Sequence, residues 1–405
     1  TNEHFLPTTH ALSNLSFRLS YGLIAGLNNI GNALPIMVST ITPRFRNQDN
    51  ERLIRILSLQ NSDLTWEKVY ETNFGTDIGF LSNAISLSVD LYQKNSKDLL
   101  DIVRTSGMGG ELNKYANDAS MTTRGVELVL DTRNFKTEDF TWSTSVNFAY
   151  FNQEITSLAN ASNSVFNLVR ETGGNVLGNP RNTLYSYDFA GLNSQGMPLL
   201  NLKEGSRDYK DIDFQDRDNI LSYLKKEGAV DPNITGGLSN TFRYKNWELN
   251  FLITMQAGNK IRKAPLYKGA GYDDLSVFPR EFKNRWVAPG DEALTQIPGI
   301  VSQRTLNEEN KAYISRAYSA YNHSTARVVD GSFVRMKSIS LSYTFDKEVL
   351  ENLNIGNLTL RLQASNPFLI YAHKDLNGQD PEFFRSGGVA YPITPQYTFT
   401  INLGI

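Results

Sequence analysis

The sequence predicts an all-β fold, a transmembrane antiparallel β-barrel with long loops at one end. Three observations lead there. Short runs alternate apolar and polar residues with a period of two, as a strand with one oily and one wet face must. The links between runs alternate between tight turns and loops of tens of residues, an asymmetry expected when the two ends of a barrel face different compartments. No apolar run in the 405 residues approaches the roughly 20 that a spanning helix requires.

Ten runs are predicted as strands, near 13–23, 65–79, 83–94, 120–132, 139–152, 235–245, 247–257, 330–345, 356–367 and 392–404. In the first, Leu15, Phe17, Leu19 and Tyr21 alternate with Ser16, Arg18 and Ser20. The third sets Ile85, Leu87, Val89 and Leu91 against Ser86, Ser88 and Asp90, and the fifth sets Phe140, Trp142, Val146, Phe148 and Tyr150 against Thr141, Ser143, Ser145 and Asn147. The sixth and seventh form a hairpin, with Thr241-Phe242-Arg243-Tyr244 turning at Lys245-Asn246 into Trp247, Leu249, Phe251, Ile253 and Met255. Ile339, Leu341, Tyr343 and Phe345 alternate with serines and a threonine in the eighth, and the tenth places Tyr397, Phe399, Ile401, Leu403 and Ile405 on one face.

Connections sort by parity. Turns near 80–82, 133–138, 245–246 and 346–355 are short, whereas links near 24–64, 95–119, 153–234, 258–329 and 368–391 are long. Because bacterial barrels keep short turns in the periplasm and long loops outside, every long link is expected to be extracellular and the C-terminus periplasmic. Long loops with internal structure are usually functional. The 258–329 link carries Phe278-Pro-Arg-Glu-Phe-Lys-Asn-Arg-Trp286, and Glu308 to Ala320 is rich in helix formers, so this link is expected to fold over the barrel mouth.

Composition narrows the function. A formal charge of −2 and a pI near 6.1 leave no basic footprint, which argues against a nucleic-acid partner. With no cysteine and four histidines (His4, His10, His323, His373), neither a disulfide framework nor a metal site is expected. The mean hydropathy of −0.36 is compatible with a barrel, since only alternate strand residues meet lipid. His373 stands near Asp375, but no nucleophile has an activating neighbour, so no catalytic residue and no cofactor is expected.

Several stretches carry a resemblance, in order along the chain. They are Asn61-Ser-Asp-Leu-Thr-Trp-Glu67 with Glu71-Thr-Asn-Phe-Gly75, Val89-Asp-Leu-Tyr-Gln-Lys-Asn-Ser-Lys-Asp-Leu99, and Thr123-Arg-Gly-Val-Glu127. The series continues with Asp231-Pro-Asn-Ile-Thr-Gly-Gly237 and Trp247, Asp330-Gly-Ser-Phe-Val-Arg-Met-Lys-Ser-Ile-Ser-Leu-Ser-Tyr343, Asn366, Asp380-Pro-Glu382 and Tyr391-Pro392. From about residue 12 to 405 the sequence resembles the C-terminal barrel portion of SusC/RagA-family TonB-dependent outer-membrane transporters of Bacteroidetes. Two departures stand out: the last residue is Ile405 rather than phenylalanine, and the plug domain, the TonB-binding box and the early strands of that family are absent.

The resemblance implies a barrel of about twenty-two strands, of which residues 1–405 supply the C-terminal portion and a plug-bearing N-terminal part the rest. It implies import of nutrient oligomers, glycans or peptides, across the bacterial outer membrane. Implied partners are a SusD-like surface lipoprotein as lid and the TonB-ExbB-ExbD machinery. The opening Thr-Asn-Glu-His-Phe, without initiator methionine or signal segment, fits a processed chain or a piece of a longer one. A self-contained barrel of ten to twelve strands, acting as a passive pore or hydrolase, is the alternative; a soluble lectin-like sandwich ranks below it because rows such as Trp247 to Met255 would be left exposed.

Site expectations follow. Trp286, Tyr313, Tyr318 and Tyr321 lie in the long 258–329 link, where aromatic rings either stack on substrate or pack a loop core. Trp142, Tyr150, Trp247, Tyr343 and Tyr397 face outward and suit an interfacial girdle next to outer-membrane lipid. Arg18, Glu127, Glu248 and Arg361 face the lumen and are expected to contact the plug more than substrate. The segment Lys210 to Asp218 resembles a degraded calcium loop, but Asp216 stands where the sharp turn needs glycine, so a solvated acidic loop is the expectation there.

Overall fold

The computed structural model describes residues 11–26, 36–43, 50–58, 64–104, 113–158, 165–202, 205, 209, 212, 220–267, 277–302, 304–305, 311–351, 355–382 and 393–404. Ten strands form one sheet in chain order. They are β1 (Leu12–Gly26), β2 (Glu67–Phe80), β3 (Ile85–Arg104), β4 (Asn113–Lys136), β5 (Phe140–Leu158), β6 (Ile234–Tyr244), β7 (Trp247–Ala257), β8 (Phe333–Thr344), β9 (Asn357–Ala372) and β10 (Gln396–Gly404). Every neighbouring pair is antiparallel, and each strand pairs with the next in the chain. The sheet is open: among the described residues β1 and β10 each have a single neighbour.

Register preserves the alternation across strands, because paired residues share a face. One outward rung runs Leu15–Ile78–Leu87–Leu130–Val146–Leu238–Ile253–Met336, apolar throughout. The neighbouring inward rung runs Ser16–Asp77–Ser88–Val129–Asn147–Gly237–Thr254–Arg335 and is mostly polar. The outward row of β7, an 11-residue strand, is long enough at about 3.4 Å per residue and a tilt near 40° to cross about 25 Å of hydrocarbon.

Strands reach further than the alternation predicted at one end. The link expected at 95–119 is largely strand: β3 continues to Arg104, β4 begins at Asn113, and they stay paired as far as Arg104 with Asn113. Strict alternation is lost there, with Leu99-Leu100 and Ile102-Val103 in adjacent pairs among polar residues, while the ladder hydrogen bonds are made by the main chain whatever the side chains. Likewise the link expected at 24–64 holds its own hairpin, Ile36–Pro43 with Asn50–Ser58, and β8 begins at Phe333 because Val328–Asp330 pairs instead with Lys260–Arg262.

The short turns fall where parity put them. Tyr244 pairs with Trp247 across Lys245-Asn246, and Lys245 takes the left-handed conformation (φ 49°) that so tight a turn demands. Leu81, Ser82 and Asn83 are all left-handed in the β2–β3 turn. The β8–β9 connection contains a short helix, Lys347–Glu351, anchored by the buried Leu350.

At the opposite end, the long links from β5 to β6 and from β7 to β8 build a packed cover. Strand Thr183–Tyr187 pairs with Leu224–Ala229, and the helix α1 (Lys311–Asn322) lies between two clusters of buried residues. One cluster holds Leu168, Tyr185, Tyr187, Leu200, Ile220 and Ala320; the other holds Leu266, Tyr267, Ile314, Tyr318 and Tyr321. The molecule's buried apolar core therefore sits mainly in the loops, while the sheet keeps its oily side outward.

Gly125 shows how tightly the inward face is fitted. It pairs with Tyr92, and an added Cβ would fall within the Tyr92 ring. Gly125→Ala in the full-length protein is expected to cost about 1–3 kcal/mol through displacement of that ring. Urea unfolding in detergent, followed by the electrophoretic shift between folded and heated protein, measures it; an unchanged midpoint would refute the fit.

Candidate functional site

The inward face carries charge at several heights. Near one edge, Arg18 pairs with Asp77 and reaches Asp90 at 3.4 Å, while Ser16 and Ser88 both donate to Asp77. Gly75 sits between them, where an added Cβ would come within 2.5 Å of Asp90 Oδ1 and 2.8 Å of the Arg18 guanidinium, so the bare backbone lets arginine reach across a strand. Glu127 stands opposite Asp90 on β4. Lower down, one rung places Arg243, Glu248, Ser342 and Arg361 side by side, with Arg243 and Glu248 paired at 2.5 Å. Among the described residues, Glu127 and Arg361 have no ion-pair partner within 4.0 Å.

Toward the cover, Arg335 is buried and closes on Asp380 at 2.5 Å, with Glu382 at 3.3 Å. This pins the segment after β9 to the inward face of β8. The register slips at Val334/Arg335 and at Met336/Ser338, and Asn366 on β9 adopts φ 50°, so bulges in both strands re-aim side chains beside this pair. Ile261, Val329 and Leu376 then pack the same segment against the strands leading into the cover.

Within the cover, one arginine joins the two long links and a second ties together parts of the β7–β8 link. Arg262 Nη2 donates to Tyr185 O at 2.7 Å and to Ser186 Oγ at 2.9 Å, and Nη1 donates to Ser324 O at 3.2 Å, joining the two long links. Burial lowers its pKa to about 10, which still leaves it charged near neutrality. Arg327 donates to Glu281 and to Ala264 O, and Lys263 takes the other Glu281 oxygen at 2.6 Å. Burial pushes the Glu281 carboxyl up, but Arg327 and Lys263 outweigh it and hold it below its ordinary range. Burial likewise lowers His323, whose Nδ1 lies 2.8 Å from Ser319 O.

The expected substrate-contact aromatics divide. Tyr318 and Tyr321 are each 1% exposed, with Tyr318 Oη donating to Gly299 O at 2.6 Å, so both serve the loop core and present no face to a ligand. The periodicity of α1 turns them inward together with Ile314. Tyr313 is half-buried against the same cluster. Trp286 is half-buried; an added Cβ at Gly196 or Gly299 would strike its indole, and its Nε1 donates to Glu292 at 3.0 Å. Its ring is held by the cover's backbone.

All five girdle candidates lie on the outward face. Trp142 stacks on Phe242 and donates from Nε1 to Asn240 at 2.8 Å, and Trp247 packs on Tyr343 at 4.8 Å, both beside short turns. Tyr150 and Tyr397 stand nearer the other end of their strands, 40% and 77% exposed. His373 accepts a hydrogen bond from the Asp375 N–H at 3.3 Å, which caps a turn. Apart from the buried Ile212, the acidic 211–218 segment lies outside the described residues. Among the described residues no group of three or more metal-ligating side chains converges.

An outward apolar face, an inward polar face and a folded cover at the long-loop end decide the architecture, and the comparisons agree. The family model for TonB-dependent receptor-like β-barrels matches residues 4–253. The chain belongs to that family. TonB-dependent receptor P39 of Formosa agariphila is 26% identical over 440 aligned residues, taking in 97% of this chain and 40% of the relative. The TonB-dependent receptor SusC of Bacteroides thetaiotaomicron is 26% identical over 424 residues, 100% of this chain and 38% of SusC. Among solved structures, the RagAB peptide transporter matches with a TM-score of 0.76 at 24% identity, over 99% of this chain and 42% of that one. Its closed-closed state gives 0.77. These relatives are receptors and transporters rather than enzymes. This TonB-dependent receptor barrel chain spans about two fifths of their length.

Residue reading missed the buried arginines of the barrel and cover. Arg335 and Asp380 both sit in the motifs that carried the resemblance, but a partner 45 residues away has no local periodic signal. Asp380→Asn would leave the buried Arg335 with only Glu382, at 3.3 Å, as countercharge and is expected to cost about 3 kcal/mol in docking of residues 373–382. Faster amide exchange confined to that segment is the expected readout.

The cover is also expected to loosen in acid. The His323 pKa is lowered on folding, so its contribution begins to be lost as pH falls below its unfolded value near 6.5; that of Glu281 is lost as pH falls from about 4.5 through its depressed folded value. Limited proteolysis from pH 7 to 4 should show progressive cutting near α1. Glu281→Gln should make the cover more susceptible already at pH 7, because it strands Arg327, by about 3 kcal/mol.

Proposed function

We propose that this chain is part of an outer-membrane importer for nutrient oligomers, glycans or peptides. The observation that carries the proposal is the pairing of a polar, charged inward face with a folded cover at its extracellular end. A cover with its own apolar core is a fitting frame for holding a large solute at the mouth. SusC and the RagAB peptide transporter, which share this fold, support the reading.

The open edges of β1 and β10 favour a larger barrel over a self-contained one. In hydrocarbon every unpaired main-chain N–H and C=O costs several kcal/mol, so both edges need further strands in the membrane. A plug-bearing N-terminal part would supply those strands and meet the lumen at inward charges that lack an ion pair among the described residues, Glu127 and Arg361 among them. A SusD-like lipoprotein would dock on the cover, and the TonB-ExbB-ExbD machinery would deliver work that the outer membrane, without ATP, cannot generate.

Deletion of the gene should abolish growth on one class of oligomer while sparing growth on its monomer, with restoration by the full-length gene. Undiminished growth of the deletion strain on every glycan and peptide tried would overturn the importer reading.

A further inference from the structure

On the outward face, polarity changes at a single rung. Leu91, Val126 and Tyr150 are paired neighbours on β3, β4 and β5, and the next outward rung is Gln93, Arg124 and Asn152. Three adjacent strands thus change from oil to water at one height, on the side where the long loops stand. This rung marks the boundary between hydrocarbon and headgroups in the outer leaflet.

Directly above it lies a recess of about 470 Å³, lined among others by Tyr21, Tyr70, Asn95, Lys97 and Thr122. Tyr21, Tyr70, Asn95 and Thr122 are outward by register, so the recess opens toward lipid rather than lumen. Lys97 is exposed, and its ammonium lies 5.9 Å from the centroid of the Tyr70 ring, whose register position is one rung nearer the membrane. The amine is therefore drawn toward the headgroup level, as long basic side chains at an interface are. Arg124 stands outside the lining of the recess, exposed one rung nearer the membrane than Asn95 and Thr122, with Nε donating to Gln93 Oε1 at 2.9 Å.

The charges nearby leave these two cations available. Asp98 is taken by Lys68 at 2.7 Å, and Glu154, also outward, stands opposite Thr122 on the rung above Arg124. Among the described residues no carboxylate lies within 4.0 Å of Lys97 or Arg124. A lysine sharing a recess with two tyrosines, with an arginine on the next strand two outward rungs nearer the membrane, has the chemistry of an anion site with an amphipathic wall: ammonium and guanidinium for the anion, hydroxyls and amides for its oxygens, ring faces for acyl or sugar C–H groups.

We propose that this rim binds the phosphate-bearing headgroup of an outer-leaflet lipid, with Lys97 and Arg124 as its cations. Its place in the membrane rests on the barrel reading above. The full-length receptor, purified in mild detergent, is tested by native mass spectrometry and titration with diphosphoryl lipid A in mixed micelles. Dephosphorylated lipid A and inorganic phosphate are the comparison probes. One lipid should remain bound, and the Lys97→Ala/Arg124→Gln pair should weaken binding about tenfold or more; Lys97→Glu alone should weaken it further than Lys97→Ala. Lys136→Ala, beside a short turn, should leave binding unchanged.

Equal binding by wild type and the double variant, or equal binding of dephosphorylated lipid, would overturn the proposal. Retention of inorganic phosphate as tightly as lipid would also overturn it, by making the ligand a free anion. Heat-modifiable mobility of each variant separates loss of the site from loss of folding. Failure of the barrel reading itself would appear as wild-type protein that does not partition with membranes.

Discussion

Main-chain pairing is the constraint on which the rest of this structure depends. Inside a bilayer the backbone has no water to bond, so each strand must spend its N–H and C=O groups on neighbours. Here nine consecutive antiparallel pairings meet that demand in chain order. Once the ladder is fixed, side chains are left with only two destinations, and the alternation of sequence decides which residues meet lipid. The two edge strands are the places where the demand is unmet, and they point to further strands as the natural completion of the sheet.

Above the membrane the rules invert. The cover must exclude water from its own interior, and it does so with tyrosines and aliphatic side chains gathered around α1. Apolar packing alone would leave the two long links free to slide past each other. Arg262 removes that freedom by donating to carbonyls of both links, and Arg327 with Lys263 fixes Glu281 between them. Directional bonds of buried charged groups thereby join an isolated main-chain bridge, Tyr187 with Ser324, in setting the register of the two links.

Sequence was most informative where period-two alternation and two environments coincide. All ten strands were legible for that reason, as were the Tyr244–Trp247 hairpin and the outward placement of Trp142 and Tyr343. It was least informative where strands leave lipid. In the upper part of β3 the apolar residues come in adjacent pairs, Leu99-Leu100 and Ile102-Val103, at a shifted register, so Asn95 to Asp101 reads as loop although the ladder continues. In the cover, Tyr318 and Tyr321 looked equally suited to ligand and core until α1 placed both beside Ile314. Trp286 had no signal in its own segment for its seat, because the glycines that hold it, Gly196 and Gly299, come from different loops.

Barrel and cover are joined by contacts of high specificity, among them the main-chain bonds of Ile155 on β5 to Gly178 and Asn179. The Lys260–Arg262 and Val328–Asp330 pair carries the ladder upward from β7 and β8, and Leu376 packs against it. Arg335 and Asp380 tie the following segment to the inward wall. Bulges beside Arg335 let a strand whose lower half obeys strict alternation turn a long cation sideways into a loop without losing its neighbours. The sheet therefore provides a regular wall for most of its height, and departs from regularity only at the level where the wall must grip the structure that closes over it.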